Sequence, residues 1–317
     1  MVPRKANQRK TIRNRRVFWS KFVLILAVAV MSFVFVFLIL KIMRSDNEEQ
    51  PPVEPEIEVV PEPEPEEPVI EITPINFQPT VDEWVNSIGG RKGVMIYDLD
   101  REEVVGKYNA DMKFETASLY KLFVVYEGYR RVQNGLLEPN GVINWTGHSA
   151  LECLDLAIRE SYSPCAETLW AIIGRDELDE IVQNDFDITD VIVSNLEATP
   201  TEIMQIMKLF YEHPDITNET LIAQIQDSFL NQPTTTYDWR QGLPSGFSEN
   251  VNVYNKVGWN WNEEYWTIYD DAAILDFVNE DRHFIAVVMT SGVRYQQIRD
   301  FGAQIEKAFY DQNVLKN

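Results

Sequence analysis

Residues 93–121 read GVMIYDLDREEVVGKYNADMKFETASLYK, and this stretch decides the fold. Gly93–Leu99 alternates like a strand, and Glu102–Tyr108 continues it as a hairpin partner. From Ser118 to Val132 the apolar residues recur at helical spacing instead. Ser118 thus stands where a helix begins, with Lys121 three residues on, so the two side chains share one face about a turn apart. That arrangement suits a serine nucleophile. A free hydroxyl is a poor one at neutral pH, but a neighbouring amine, desolvated so that part of it is neutral, can take the proton, and a helix N-terminus favours the developing anion. Taken alone, S-x-x-K is a weak signal, because an N-cap Ser followed by a surface Lys gives the same string.

Downstream, Leu151–Ile158, Pro164–Ile173 and Thr201–Tyr211 carry helical patterns, the last opened by a capping box of Thr199 or Thr201 with Glu202. Strand signals return at Val251–Val257, Tyr265–Leu275 and His283–Thr290, and Gln297–Tyr310 closes the chain as an amphipathic helix. Strands at both ends with helices between them predict an α+β fold: a mainly antiparallel sheet packed by terminal helices, with an all-α subdomain. The folded domain is placed at residues 80–317, and no internal repeat is visible.

Two later segments complete a motif order. Ser161-Tyr162-Ser163 opens a second helix, and Lys256-Val257-Gly258 ends a strand signal. S-x-x-K, then a serine-led triplet, then K-x-G resembles the class A β-lactamase and penicillin-binding-protein superfamily, whose elements are S-x-x-K, S-D-N and K-T-G. The likeness covers roughly residues 80–312; Gly93–Lys121 resembles that family's first hairpin running into its nucleophile helix, and Ala198-Thr199-Pro200-Thr201-Glu202 resembles the start of a later helix. The resemblance implies Ser118 as the nucleophile that becomes acylated, Lys121 as its base, and Ser161 as the proton relay to the leaving nitrogen. It implies that Lys256 binds the substrate carboxylate and biases Ser161, that Gly258 lets substrate approach the strand edge, and that the backbone N–H groups of Ser118 and Trp259 form the oxyanion hole. The implied β-lactamase/transpeptidase-like enzyme opens a β-lactam, or alternatively cleaves D-alanyl peptides of peptidoglycan.

The sequence departs from the family pattern in three places. Ser163 replaces Asn and loses an amide's paired donor and acceptor. Val257 replaces the Thr or Ser that touches the substrate carboxylate. Between the second motif and Thr199-Pro200 there is no E-x-x-L-N, the family's source of a water-activating glutamate; Asp187, Asp190 and Glu197 lie there, and none is singled out. Asp227-Ser228-Phe229-Leu230-Asn231 falls after that point and reads as helix surface. Acylation is therefore better supported than deacylation. A third alternative, an inactive domain that binds the cell wall, is opposed by the joint presence of Ser118, Lys121, Ser161 and Lys256.

Cys153 and Cys165 are either a disulfide clamping the segment that presents Ser161 and Ser163, or two buried thiols; twelve positions separate them. With His148, His213 and His283 scattered and no C-x-x-C or H-x-x-x-H spacing, no metal site is expected, and no cofactor either. The aromatic group Trp259, Trp261, Tyr265 and Trp266 reads as sheet core or rim.

The chain of 317 residues carries a formal net charge of −22, spread very unevenly. Residues 1–44 hold ten Lys or Arg and no acid; residues 45–79 hold eleven acids and no base; residues 80–317 hold 18 bases against 39 acids. So acidic a domain repels phosphate backbones, which excludes a nucleic-acid partner. Phe22–Leu40 has neither charge nor proline and as a helix would span about 28 Å, close to a bilayer's hydrocarbon thickness. The expected order is a basic cytoplasmic tail (1–21), a transmembrane signal anchor (22–42), and a disordered Pro/Glu-rich linker (43–79) that holds an extracytoplasmic domain off the cell membrane. A monomer is expected.

Overall fold

A computed structural model describes residues 73–314 apart from 144, 190, 233–238 and 262–266. The predicted tail and membrane segment, and nearly all of the predicted linker, lie outside the described residues, as does Asp190. Among the described residues, no helix is long and apolar enough to cross a membrane.

The hairpin seen in sequence forms as strands β1 (Arg91–Asp98) and β2 (Glu103–Tyr108). Three later strands, β5 (Val251–Trp261), β6 (Thr267–Phe277) and β7 (Arg282–Ser291), join them in one antiparallel sheet of order β2-β1-β7-β6-β5. Successive side chains of a strand point to opposite faces, and here both faces are apolar. Val94, Ile96, Phe284, Ala286 and Val288 meet one core cluster; Met95, Ile285, Val287 and Met289 meet the other. Helices α1 (Gln78–Ser87) and α8 (Tyr295–Val314) cover the first face, with Trp84 stacked on Phe301 at 4.5 Å. The second face carries the helical subdomain: α2 (Lys121–Gln133), α3 (Ala150–Arg159), α4 (Ser163–Ile173), α5 (Arg175–Asn184), α6 (Pro200–Glu212) and α7 (Glu219–Leu230). A second, two-stranded sheet pairs β3 (Phe114–Glu115) with β4 (Glu197–Ala198).

Several expectations are sharpened. The fold starts before Thr80, since Ile75 and Phe77 are buried and α1 opens at Gln78. Pro79, which in sequence belongs to the linker's proline run, sits in the first turn of that helix, where a missing N–H costs nothing. The capping box of α6 is made by Thr199, whose Oγ1 accepts from Glu202 N while Glu202 accepts from Thr199 N. Asp227–Asn231 closes α7 as a helix but is surface only in part: Ser228 and Phe229 are buried. Helix α5 has no counterpart among the expected elements because its ten residues bury only Leu178 and Val182, too few to print an apolar stripe. Cys153 of α3 and Cys165 of α4 are joined as a disulfide, which settles that alternative.

Candidate active site

The turn that carries Ser118 is a 3₁₀ helix, Ala117–Tyr120, running directly into α2. Lys121, three residues after Ser118, is the first residue of α2. Ser118 is partly exposed, whereas Lys121 is fully buried. Ala117, just before the serine, has φ +41°, a left-handed conformation unusual for a residue with a Cβ. The turn is pinned from both sides: Thr116 N donates to Leu196 O, and Leu119 N donates to Thr116 O.

Ser161 and Ser163 come from the α3–α4 junction. Ser161 is also left-handed, at φ +53°, and Ser163 is the first residue of α4. The Lys121 ammonium gathers these groups, donating to Ser161 O at 2.5 Å, Ser163 Oγ at 3.0 Å and Ser161 Oγ at 3.3 Å. From β5 the Lys256 amine reaches the same hydroxyl, 2.9 Å from Ser161 Oγ, and Val257 O at 2.6 Å. One serine hydroxyl thus lies between two amines. Strain of order 1–3 kcal/mol at a residue such as Ser161 persists only where the surroundings over-determine it, and here two lysines and a disulfide-linked helix pair do so.

Burial decides the charge of both lysines. It brings Lys121 down to about 8, against the pull of the nearby Glu167 carboxylate. Lys256, with no solvent exposure, is lowered well below the usual lysine range by burial first and by the charge of Lys121 second, while Asp271 opposes. About a tenth of Lys121 is then neutral at pH 7.

Gly258 makes room for a neighbouring turn. A Cβ built there would lie 2.5 Å from Thr116 O and 2.9 Å from the Leu119 side chain. The space belongs to the turn that carries Ser118, which packs on β5 at this glycine. Trp259 sends its indole to the other face, T-shaped against Tyr269 and Trp239 and stacked on Tyr295. Only its backbone is available to the site, and β5 is an edge strand, along which alternate N–H groups are not spent in the ladder. Of Tyr265 and Trp266 nothing is described. Asn260, two residues further on, donates to Glu115 Oε1 at 2.6 Å and ties the end of β5 to β3.

The sequence reading missed Ala117, Asn260 and a cluster on α4. In that cluster the Tyr120 hydroxyl donates to Glu167 Oε1 at 2.6 Å, and Arg175 donates to Glu167 Oε2 at 2.6 Å. The available signal was spacing: Glu167 is four residues after Ser163 and shares its helix face. Asp187 and Glu197, two of the acids in the interval, are exposed. No group of three or more His, Cys, Asp or Glu able to hold a metal occurs among the described residues.

A hydroxyl on a pinned turn, a partly neutral amine three residues on and a second hydroxyl shared between two amines are groups that can pass a proton from one oxygen to another heavy atom. A family model described as the beta-lactamase enzyme family matches residues 76–312. No curated protein matches the chain. Among solved structures, a beta-lactamase from Chitinophaga pinensis superposes with TM-score 0.61 at 15% identity, covering 74% of this chain and 98% of that one. The putative class A beta-lactamase PenP from Rhodopseudomonas palustris gives 0.63 at 18%, covering 73% and 100%. A structure of PBP-A gives 0.63 at 16%, covering 75% and 99%.

Proposed function

The chain belongs to the beta-lactamase enzyme family, and from that premise we propose that it is a serine hydrolase that opens a β-lactam amide through an acyl-enzyme on Ser118. The observation that carries this is the Ser161 hydroxyl held between Lys121 at 3.3 Å and Lys256 at 2.9 Å, with Lys121 three residues after Ser118 in the chain. Neutral Lys121 takes the Ser118 proton as Oγ attacks the carbonyl carbon. The oxyanion so formed is received by the N–H groups of Ser118 and Trp259. As the C–N bond breaks, Ser161 passes its proton to the leaving nitrogen and regains one from the two amines, leaving an ester on Ser118. Water then cleaves that ester and restores the hydroxyl.

Lys256 is buried with its amine bonded to Ser161 and Val257 O, so in this reading its main work is on Ser161. A second reading, cleavage of D-alanyl peptides, is favoured by the absence of an E-x-x-L-N sequence between Ser163 and Thr199, which leaves deacylation slow. We also propose that residues 22–42 anchor the chain in the cell membrane with the domain outside, a placement that carboxyl-side protease access in intact cells tests.

The deciding experiment mixes the full chain with a fluorescent penicillin and locates the label by peptide mass. Label on Ser118, lost in Ser118→Ala, is expected, and its rate should rise as pH passes about 8, where Lys121 becomes neutral. A chromogenic cephalosporin should then give one burst followed by slow turnover. Label elsewhere, or undiminished in Ser118→Ala, sinks the assignment.

A further inference from the structure

We propose that Glu167, fixed between the Tyr120 hydroxyl and the Arg175 guanidinium, is a positioning residue of the site and determines which of its two lysines holds the shared proton. The inference rests on Lys121 being the base of acylation. Glu167 and Ser163 share a face of α4, and Ser163 Oγ is 3.0 Å from the Lys121 amine. Tyr120 precedes Lys121 in the chain, and its hydroxyl bonds Oε1 of Glu167, so the carboxylate is tied to the backbone segment that carries the base. Arg175 holds the second oxygen, with its guanidinium carbon 4.0 Å above the Trp170 ring on which Tyr120 also stacks at 5.0 Å. The carboxylate therefore has one orientation.

The charged and titratable groups around Lys121 come from each element packed against it. Its own turn supplies Tyr120, whose ring centre is 5.8 Å from the amine; α4 supplies Glu167; β5 supplies Lys256. Tyr120 stays protonated, because burial and Glu167 both push its phenol upward. Two amines joined through one hydroxyl repel each other's charge, and each has one carboxylate on its side: Glu167 for Lys121 and Asp271 for Lys256. Asp271 is itself drawn up to about 7 by burial, so its negative charge is partial at neutral pH. With Lys256 lowered well below the usual lysine range and Lys121 only to about 8, the resting proton sits on Lys121. Loss of that proton then becomes the step that pH controls.

Two variants move the system in opposite directions. Glu167→Gln removes the counter-charge; the midpoint of the acylation profile should fall by about half a pH unit, roughly threefold more neutral amine at pH 7. Arg175→Gln, at a half-exposed side chain, leaves Glu167 unopposed, and the midpoint should rise. A role limited to packing would lower the rate in both variants with the midpoint unmoved, and that result overturns the proposal. Isotope-labelled lysine NMR of the full chain, with Lys121→Arg to assign the signal, reads the same titration without any substrate. A Lys121 signal that moves as stated while penicillin leaves no label keeps the inference and removes the acyl-enzyme reading; a signal that ignores both variants removes the inference alone.

Discussion

Gly258 is the residue through which strand β5 and the Ser118 turn meet. Replacing it with Ala places a methyl group 2.5 Å from Thr116 O, and the obstacle is backbone that is itself bonded to Leu119 N. Gly258→Ala should therefore cost about 1–3 kcal/mol and lower acylation by more than tenfold, read as a drop in melting temperature together with slower penicillin labelling. An enzyme of normal rate and stability would show that the turn relaxes freely. The residue scale is also where sequence and structure part most clearly. Ser118, Lys121, Ser161, Ser163 and Lys256 are legible as candidates because their order along the chain resembles a known family's three motifs; helical spacing by itself links only Ser118 with Lys121. The left-handed backbones of Ala117 and Ser161 are not, since neither residue type advertises a positive φ. Glu167 is hidden for another reason: its partners Tyr120 and Arg175 lie 47 and 8 residues away, a relation that only the tertiary fold creates.

Among the elements, α3 and α4 present the Ser161 hydroxyl, and the Cys153–Cys165 bridge ties them across the junction. Closing a loop of this size is worth about 3 kcal/mol in the chain-entropy account. Cys153→Ala with Cys165→Ala should lower stability by roughly 2–4 kcal/mol, within the same range, and should slow acylation beyond what the drop in folded fraction explains, because Ser161 would leave its strained conformation more often. Retention of the full rate in the folded fraction would mean that Lys121 and Lys256 alone hold that junction. Elements with a dense apolar stripe are the ones sequence shows well, as with α2 and β7. Helix α7, by contrast, is set largely by the Asn218 cap and by burial against α3 and β5, and only its last residues gave a sign of it.

Over the whole molecule, two carboxyls lie with no solvent exposure beside one another on β6. Burial raises Asp271 to about 7, against hydrogen bonds from Asn255 and Leu243 N, and raises Asp270 well above the usual carboxylate range, against one from Thr290 N. An acid whose folded value lies above its unfolded one favours the folded state most at low pH. Stability should then fall as pH climbs from about 4 to about 7, by up to about 4 kcal/mol from Asp271. Thermal melts over that range should show the decline, and Asp271→Asn should flatten it; a stability that rises across the same window would contradict the buried placement. The α+β plan, with one sheet between two terminal helices and a helical layer, is legible from periodicity because each layer buries a contiguous apolar face. The boundary near Ile75 is not, because the prolines that stiffen a linker are the same residues that open a helix.

The meeting of Gly258 with Thr116 also has a consequence in time. During synthesis Ser118 and Lys121 leave the ribosome long before β5 and β6 exist, and contacts so distant in sequence are made late in folding. Until β5 arrives, the turn lacks the strand it packs against and Ser161 has only one of its two amines. On the proposed assignment of Ser118, a nascent or truncated chain ending ahead of Val251 should take no penicillin label, and reactivity should be the last property the polypeptide acquires.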